Sequence, residues 1–467
     1  MSARPVFVGG TSSNAGKSWM ATAVCAWLRR RGVAVAPFKA QNMSNNSYPC
    51  RQGGEIGRAQ VVQAEACGLE PEPAMNPILL KPNGAGSSQV VVNGRVWKTL
   101  APRAYHEHVP ELRRHVRAAY EELSRRFDVI VIEGAGSVSE LNLRATDLVN
   151  LDLVVRLRAP WMLVADIERG GVFASVLGTI GLLTPDERTL FRGFAINRFR
   201  GDVSLFEEGA RTLEARTGSH CFGIFPYAAD ITIDAEDSLA LDTEARALAP
   251  AGARIAIVRL PCLSNATDFR LLPWADWIQS PPAGDYDFVV LPGTKNSIGD
   301  LRWLHSTGLS AWMLGQRRRG ATIIGICGGY QMMGRRIDDP LGVEGGGSAP
   351  GLGLLPVVTV MKPDKRTEVR PATTRGGTRF TGYEIHMGET SYEGSPQPFA
   401  RFDDGTADGA CLPGAIGTYL HGALENADVC AELFGVPIAA VPKRDQYERL
   451  AAWLERHGRE MERLLAG

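Results

Sequence analysis

The sequence predicts an α/β protein built from two doubly wound parallel-sheet domains. Three observations carry this prediction: a strand, a Gly/Ser-rich loop and a helix follow one another at the N-terminus, strand-like runs alternate with helix-like segments in both halves, and the alternation lapses near residue 240. The 467 residues suffice for two or three domains. We place the first domain at 1–240, the linker at 241–252 and the second domain at 253–467.

Composition narrows the class of protein. Lys plus Arg and Asp plus Glu number 51 each, so the formal net charge is zero and no nucleic-acid partner is predicted. The N-terminus has no secretory apolar core, and no apolar run approaches the roughly 20 residues of a membrane helix. Eight scattered cysteines without a Cys-x-x-Cys pair predict neither a zinc site nor disulfides. A reduced protein of the cytoplasm with no membrane contact is expected.

The first element is a strand over 6–8 that enters the loop Gly-Gly-Thr-Ser-Ser-Asn-Ala-Gly-Lys-Ser, and a helix over 19–31 follows. This order is typical of a phosphate-binding loop, whose backbone N–H groups cradle phosphate oxygens. Five residues separate Gly10 from Gly16 where the usual motif has four, and a plain turn before a helix is the alternative. The predicted ATP-binding residues of the loop are Thr11, Asn14, Gly16, Lys17 and Ser18, with the Ser18 hydroxyl also reaching Mg²⁺.

Later strands of the first domain are predicted over 33–38, 127–133, 161–166 and 193–197. In a parallel sheet, ligands bind at the carboxyl ends of the strands, where Lys39 and Glu133 stand. We therefore expect Lys39 to stabilise a transferring phosphoryl group and Glu133 to hold Mg²⁺.

Other polar side chains at the same edge are weaker candidates. Asn42 and Asn45 belong to a run of amides that would suit a polar substrate or the water shell of the metal. Asp166 is a candidate for metal or substrate binding, with a capping role as the alternative. Asn197 and Arg198 are candidates for contact with a nucleotide base.

The second domain repeats the alternation, with strands predicted over 254–258, 288–291 and 321–324. The Gly-rich stretches 341–353 and 363–380 are expected to be loops. The charged segment 443–465 has an amphipathic pattern and predicts a helix on the outer surface.

The third of these strands runs into Gly-Ile-Cys-Gly-Gly-Tyr-Gln, in which Cys327 is flanked by glycines. This pattern is typical of a nucleophile elbow, the sharp strand-to-helix turn that presents a reactive side chain. The following helix N-terminus favours the thiolate. The alternative is a buried structural cysteine in a tight turn.

A histidine that could serve Cys327 as a base lies far downstream, in Tyr-Leu-His421-Gly. The amides of Gly293, in Leu-Pro-Gly, and of Gly328 are expected to form an oxyanion hole. Gln331, one turn after the cysteine, and His386 are possible pocket residues, and a purely structural histidine is equally compatible with the sequence at 386.

Together, the Leu-Pro-Gly, Gly-x-Cys-Gly-Gly-x-Gln and Tyr-Leu-His-Gly motifs resemble the class I glutamine amidotransferases. The loop at 10–18, with Lys39 and Glu133-Gly-Ala-Gly, resembles the ATP domain of dethiobiotin synthetase-like enzymes, a P-loop NTPase-like fold. The fusion in this order is similar to the cobyrinate amidases. Four long stretches, at 37–46, 54–60, 76–82 and 166–173, are most similar to the branch of that group that acts on adenosylcobyrinic acid a,c-diamide; its sister branch has acidic residues after the lysine where this chain has amides.

The resemblance implies an ATP- and Mg²⁺-dependent ligase that takes ammonia from L-glutamine and amidates the b, d, e and g carboxylates of that corrinoid. The sequence departs from the pattern of the triad amidotransferases at one position. Many relatives with a catalytic triad carry Glu two residues after the histidine, where this chain has Ala423, although Glu425 is near. A Cys327–His421 dyad with slow glutaminase chemistry is therefore expected.

Three rival hypotheses remain at this stage. The chain could be the sister enzyme that makes the a,c-diamide. It could be a partition-type ATPase, although such proteins carry an early loop lysine where this chain has Gly-Gly-Thr at 9–11. It could also be a binding module without catalysis.

Overall fold

The computed structural model describes residues 3–83, 86–234, 253–439 and 442–465, so the predicted linker at 241–252 lies outside the described residues. The strands of the N-terminal unit are β1 Arg4–Gly10, β2 Val35–Phe38, β3 Gln41–Met43, β4 Ser47–Pro49, β5 Glu55–Gly57, β6 Ile78–Pro82, β7 Ser88–Val92, β8 Arg95–Leu100, β9 Val129–Glu133, β10 Trp161–Asp166, β11 Phe191–Phe199 and β12 His220–Pro226. Its helices are α1 Lys17–Arg30, α2 Arg58–Cys67, α3 Pro102–Glu107, α4 Val109–Ser124, α5 Leu151–Leu157, α6 Val172–Gly181, α7 Pro185–Leu190 and α8 Glu207–Thr217.

The central sheet of this unit has the strand order β12-β11-β10-β1-β9-β2, and every pairing in it is parallel. Register aligns the strand ends, because Val8 pairs with Glu133, Gly10 with Val164 and Asp166 with Asn197. The phosphate-loop candidate and the polar residues predicted beside it therefore emerge from one edge of the sheet.

Burial explains why these strands read as continuous apolar runs. Both faces of the sheet are covered: α4, α5, α6 and α8 pack on one face, whereas α1 and α2 pack on the other. A strand that is buried on both faces needs no polar alternation. All five residues of β9 are buried, including the carboxylate of Glu133 at its end.

Two small sheets stand beside the central sheet of the N-terminal unit. One has the order β3-β6-β7-β8, and the other is the antiparallel hairpin of β4 and β5. The chain passes from β5 directly into α2, whose N-cap is Gly57. This hairpin and helix turn out to lie between the two candidate sites.

The C-terminal unit begins with its own parallel sheet. Its strands are β13 Ile255–Val258, β14 Asp276–Ile278, β15 Phe288–Leu291, β16 Thr322–Ile326, β17 Arg336–Asp339, β18 Gly347–Pro350, β19 Val357–Thr374, β20 Arg379–Tyr392, β21 Ala400–Phe402, β22 Ala407–Asp408, β23 Ala410–Leu412 and β24 Ala415–Thr418. Its helices are α9 Ser297–Ser306, α10 Leu309–Arg318, α11 Gly328–Met333, α12 Ala427–Phe434 and α13 Lys443–His457. The main sheet has the order β14-β13-β15-β16-β24-β23, and only the edge strand β23 is antiparallel.

The doubly wound α/β fold is confirmed, but one part of the prediction was wrong. The stretch 363–380 lies largely in β19 and β20, a long antiparallel ribbon, and 341–353 contains β18. Polar residues are tolerated there because much of the ribbon is partly exposed and is held by cross-strand hydrogen bonds instead of a buried face. Among the described helices, none is long and apolar enough to cross a membrane.

Helix α13 forms as the amphipathic pattern predicts, but one of its faces is buried. Tyr447, Leu450 and Trp453 join the apolar cluster around α1 in the N-terminal unit. The Trp453 ring lies edge-on to Trp19, with 5.8 Å between ring centroids. The C-terminal end of the chain thus returns to the first sheet.

Candidate active sites

The candidate phosphate loop lies between β1 and α1. Gly16 precedes α1 with φ 96°, in the left-handed region that favours glycine, and a Cβ there would lie 2.0 Å from Nδ2 of Asn197. Asn197 Nδ2 donates to Ala15 O at 3.0 Å, so this side chain supports the loop instead of pointing toward a nucleotide base. Thr11 N donates to Val164 O, and Asn14 is exposed with φ 60°.

Lys17 lies inside the curve of this loop. Its Nζ donates to Ser12 O at 2.9 Å and to Gly136 O at 2.7 Å, which brings the loop and the turn after β9 around one cation. A Cβ at Gly10 would lie 2.9 Å from the Lys17 side chain, so the glycine makes room for it. The loop therefore has the shape and charge of a phosphate cradle.

Glu133 is the centre of the polar network below the loop. The residue has no exposed surface. Its Oε1 accepts from Ser18 Oγ at 2.7 Å and from Lys39 Nζ at 2.9 Å. Its Oε2 accepts from Gln63 Nε2 at 2.5 Å and from Gln60 Nε2 at 3.4 Å. A hydroxyl and a carboxylate in contact are the hard oxygen ligands that Mg²⁺ takes beside substrate phosphates, so Ser18 and Glu133 fit that ion.

The other polar candidates at this edge are engaged in different ways. Asn42 Nδ2 donates to Gln60 Oε1 at 3.0 Å and so belongs to the network of Glu133. Asp166 pairs with Arg198 at 3.2 Å, and its second oxygen accepts from Glu168 N at 2.7 Å, as a capping carboxylate does. In this structure Asp166 and Arg198 therefore form an ion pair with each other.

Cys327 stands on a sharp turn between β16 and α11. Its backbone has φ 52° and ψ −110°, an unusual conformation for a residue other than glycine, and such strain is typical of a nucleophile elbow. The turn packs tightly on its neighbours. A Cβ at Gly329 would lie 2.0 Å from Leu291 O, and one at Gly328 would lie 2.5 Å from Thr294 Cγ2. The glycines therefore let the elbow pack directly on the end of β15.

The structure places His421 close enough to Cys327 for the cysteine side chain to help raise the pKa of the imidazole, while the Cys327 thiol itself donates to Ile385 O at 3.6 Å. His421 is 1% exposed and follows β24, which pairs with the strand of the cysteine. A Cβ at Gly293 would lie 2.7 Å from His421 Cε1, so the Leu-Pro-Gly turn faces the same imidazole. The predicted oxyanion glycines 293 and 328 thus border the cysteine and the histidine.

A third residue completes the group, and the sequence did not reveal it. His421 Nδ1 lies 2.7 Å from Asp268 Oδ2, and Asp268 Oδ1 accepts from Gly422 N at 2.7 Å. The dyad expected from the sequence therefore has an acid after all, and the expectation of slow glutaminase chemistry loses its premise. Glu425, the acid nearest to His421 in sequence, instead pairs with Arg58 at 2.7 Å.

The charges around His421 favour the protonated imidazole. Burial of the imidazole opposes its protonation, but the negative charges of Asp268 and of the Cys327 thiolate outweigh burial and raise the pKa of His421 to about 10. The imidazolium is then the resting form at neutral pH. It would stabilise a thiolate nucleophile and hold a proton for the leaving group.

A small cavity of about 30 Å³ is lined by Cys327, with space for a water molecule and far too little for an amino acid. Gln331 and His386 both line it. Gln331 accepts from Ser297 Oγ at 2.6 Å, and His386 stacks on Tyr419 at 3.8 Å between ring centroids. A second, larger and more open cavity of about 1220 Å³ shares Lys365, His386 and Met387 with the first.

Residues of the N-terminal unit cover the thiol cavity. Asn45 and Lys81 both line it, so Asn45 belongs to this site and not to the metal site that the run of amides suggested. Lys81 Nζ lies 2.8 Å from Glu55 Oε2, and Lys365 of the C-terminal unit pairs with the same carboxylate. The two units therefore meet at a buried interface beside the thiol cavity.

Several of these residues carry no sequence signal. Asp268 lies 153 positions before His421, in the short 3₁₀ turn Ala266–Phe269, and belongs to no spacing motif. Gln60 and Gln63 lie on a helix that the alternation of strands does not single out. Only the helical spacing of the two amides, three residues apart on one face, could have suggested a shared partner.

Two family models match the chain, one for each of its two units. Residues 6–240 match the family model described as the CobQ/CobB/MinD/ParA nucleotide binding domain. Residues 254–429 match the CobB/CobQ-like glutamine amidotransferase domain. The fold and the two sites thus define a glutamine amidotransferase fused to a nucleotide-binding ligase domain.

Full-length relatives narrow the class to one family. The chain is 44% identical to the cobyric acid synthase of Parabacteroides distasonis and 42% identical to that of Syntrophobacter fumaroxidans, with 97% of each chain covered in both comparisons. A solved glutamine amidotransferase structure aligns with 39% of this chain and 99% of its own, at 16% identity and a TM-score of 0.31. The chain belongs to the cobyric acid synthase family, whose members are glutamine-dependent amide ligases.

Proposed function

We propose that the protein amidates the b, d, e and g carboxylates of adenosylcobyrinic acid a,c-diamide to give adenosylcobyric acid, with ATP and L-glutamine as co-substrates. The observation that supports the proposal is the presence in one chain of the Cys327–His421–Asp268 group and of the Lys17–Glu133 network beside a phosphate loop. One site liberates nitrogen, and the other activates an acid that is otherwise a poor electrophile.

In the thiol site, Cys327 Sγ attacks the side-chain carbonyl carbon of glutamine. The amides of Gly293 and Gly328 stabilise the tetrahedral oxyanion. The His421 imidazolium, oriented by Asp268, gives its proton to the leaving ammonia. Water, deprotonated by the now neutral His421, then attacks the thioester carbon; the carbon–sulfur bond breaks, glutamate leaves, and the Cys327 thiolate and the His421 imidazolium are restored.

In the nucleotide site, the loop that holds Thr11, Asn14 and Gly16 binds the phosphates of ATP. Lys17 and Lys39 stabilise the γ-phosphoryl group as it passes to a corrinoid carboxylate, and ammonia then displaces phosphate to form the amide. Ser18 and Glu133 would hold Mg²⁺, which supplies charge neutralisation at the β- and γ-phosphates when it is bound. Asn42, whose Nδ2 donates to Gln60 Oε1, would contact a polar substrate beside this network.

We also propose that the chain divides into domains 1–240 and 253–467 around the linker 241–252, and that it works in the cytoplasm. The two family matches, at 6–240 and 254–429, support the boundary between the domains, although α13 of the second domain packs on the first. The eight free cysteines support a reducing compartment.

Product mass analysis tests the proposal. With ATP, Mg²⁺ and glutamine, the purified protein should add four amides to adenosylcobyrinic acid a,c-diamide. Two amides added to adenosylcobyrinic acid, with the diamide left unchanged, would indicate the sister enzyme instead. The Cys327→Ser variant should lose amidation with glutamine and keep amidation with ammonia, because only the nitrogen source passes through the thiol. Glutamine-dependent amidation that survives in Cys327→Ser contradicts the assignment of the nucleophile.

A further inference from the structure

The segment 46–48 of the N-terminal unit holds the turn that carries Asp268. Asn46 Oδ1 accepts from Ala266 N at 3.3 Å, and Ser47 N donates to Asn265 Oδ1 at 2.9 Å. Asn46 and Ser47 are buried, so water does not compete for these hydrogen bonds. The backbone position of the acid that orients His421 is therefore set partly from the other domain.

The same segment reaches His421 by a second route. The Tyr48 ring packs on Tyr383 with 4.8 Å between centroids, and Tyr383 stacks on the His421 imidazole at 5.3 Å with an interplanar angle of 21°. Tyr383 and His421 also exchange two backbone hydrogen bonds, of 3.0 and 2.9 Å. Among the described residues, the Tyr383 hydroxyl has no hydrogen-bond partner, so its ring is what supports the imidazole.

The segment is continuous with the nucleotide site in the opposite direction. Strand β4, which contains Tyr48, pairs with β5, and β5 leads directly into α2. Arg58, the first residue of α2, donates its backbone N–H to Asn46 O at 3.1 Å, and its guanidinium lies over the Tyr48 ring at 5.4 Å. The next turn of α2 carries Gln60 and Gln63, whose amides bind Glu133 below the phosphate loop.

A direct ion pair reinforces this link. The Arg58 guanidinium, 2% exposed, lies 2.7 Å from Glu425, which stands four positions after His421, and 2.7 Å from Asp234. Arg270, two residues after Asp268, donates to Glu425 O at 3.3 Å. These contacts connect the first residue of α2 to the loops of both the histidine and the acid.

We propose that segment 46–48 is a positioning element for the glutaminase, through which helix α2 couples occupation of the nucleotide site to the alignment of His421 and Asp268. The inference rests on the proposed function, because it assumes that Cys327 hydrolyses glutamine. Glutamine hydrolysis would then proceed at full rate only when the ligase site holds its substrates, and ammonia would not be released without an acceptor. A contiguous set of packed and hydrogen-bonded contacts connects the two sites, and the experiment below measures whether the sites are coupled.

The test compares Tyr48→Leu with Tyr48→Phe, which keeps the ring. Glutamate release is followed with and without ATP and adenosylcobyrinic acid a,c-diamide. In the parent protein these substrates should raise the glutaminase kcat. Tyr48→Leu should lower kcat about tenfold, which corresponds to the loss of one strong aromatic contact, and should abolish the response to substrates. The KM for glutamine should change little, because the alignment of the base is lost and not a contact to glutamine. Tyr48→Phe should recover both kcat and the response.

Amidation with ammonia reports on folding of the N-terminal unit in each variant. If Tyr48→Leu does not amidate with ammonia, Asn46→Ser is measured instead. This substitution shortens the side chain that accepts from Ala266 N, and the glutaminase of the variant should likewise lose its response to the ligase substrates. The inference is overturned if a folded variant keeps the glutaminase kcat and the substrate response of the parent, or if the parent shows no response. A parent protein that releases no glutamate at all, or a Cys327→Ser variant that still does, refutes the proposed function instead.

Discussion

Asp268 decides how His421 works, because a histidine without an orienting acid is free to adopt the wrong tautomer. The carboxylate contacts Nδ1 of the imidazole and accepts from the backbone N–H of Gly422. These two contacts fix both the charge and the direction of the imidazole. Asp268 is thus a positioning residue, and it acts on glutamine only through His421.

Replacing Asp268 with Asn should lower the glutaminase kcat about 100-fold or more, because the amide does not stabilise the imidazolium and favours the wrong tautomer. Amidation with ammonia should remain, since the nucleotide site is unchanged. The measurement is kcat for glutamate release beside the rate of amidation with ammonium chloride. Asp428→Asn is the matched control, because Asp428 is exposed on α12. A glutaminase rate in Asp268→Asn equal to that of the control would remove Asp268 from the site.

The pKa of His421 also predicts how stability depends on pH. The folded protein raises this pKa from 6.5 to about 10. A raised pKa means that the folded state binds the proton more tightly than the unfolded state does. The resulting stability is fully present below pH 6.5 and is lost as the pH rises through about 10.

Urea unfolding at pH 7 and at pH 10.5 should therefore show a difference in the free energy of unfolding between the parent and His421→Gln that shrinks at the higher pH. The expected change is on the order of a few kcal/mol for a fully buried charge pair. A difference that stays constant between the two pH values would mean that His421 is not charged in the folded protein.

At the scale of single elements, the elbow at Cys327 depends on the absence of side chains around it. Gly329→Ala should destabilise the protein by about 1–3 kcal/mol or more and abolish glutamate release, because its Cβ would meet Leu291 O at 2.0 Å and push the turn outward. Gly178→Ala on α6 is the control: a Cβ there meets nothing within 4 Å, and alanine should stabilise this helix by up to about 1 kcal/mol. Thermal unfolding and glutamate release measure both variants, and a fully active Gly329→Ala would contradict the packing described for the elbow.

Elements with a strong local pattern were predicted well from the sequence. Strands β10 and β15 begin and end where the apolar runs do, because strands buried on both faces leave no polar gaps. The ribbon of β19 and β20 was missed because its strands pair chiefly with each other and lack a continuous apolar face. Cys327, His421 and the phosphate loop were found because each is held by glycines in a short motif, whereas Asp268, Lys81 and Tyr383 contribute only through contacts that the fold makes between distant segments.

At the scale of the whole molecule, each of the two units contributes residues to a site or core of the other. The N-terminal unit covers the thiol cavity with Asn45 and Lys81, and the C-terminal helix α13 returns to cover α1. Trp453 is the anchor of that return: it is 6% exposed, packs against Phe225 at 4.9 Å between centroids, and donates its indole N–H to Pro226 O at 3.1 Å. The stability of the nucleotide-binding sheet therefore depends on residues far outside it in sequence.

Trp453→Ala should consequently destabilise the N-terminal unit by about 3–5 kcal/mol, the usual cost of removing a buried tryptophan from a core. Urea unfolding should show the loss, and the affinity for ATP should fall at denaturant concentrations that the parent tolerates. Leu205→Ala is the control, because Leu205 is 80% exposed and its removal should change the free energy of unfolding by less than about 0.5 kcal/mol. If Trp453→Ala had the same free energy of unfolding as the control, α13 would not stabilise the N-terminal unit. If only the glutaminase activity were lost at lower denaturant concentrations, α13 would stabilise the C-terminal unit instead.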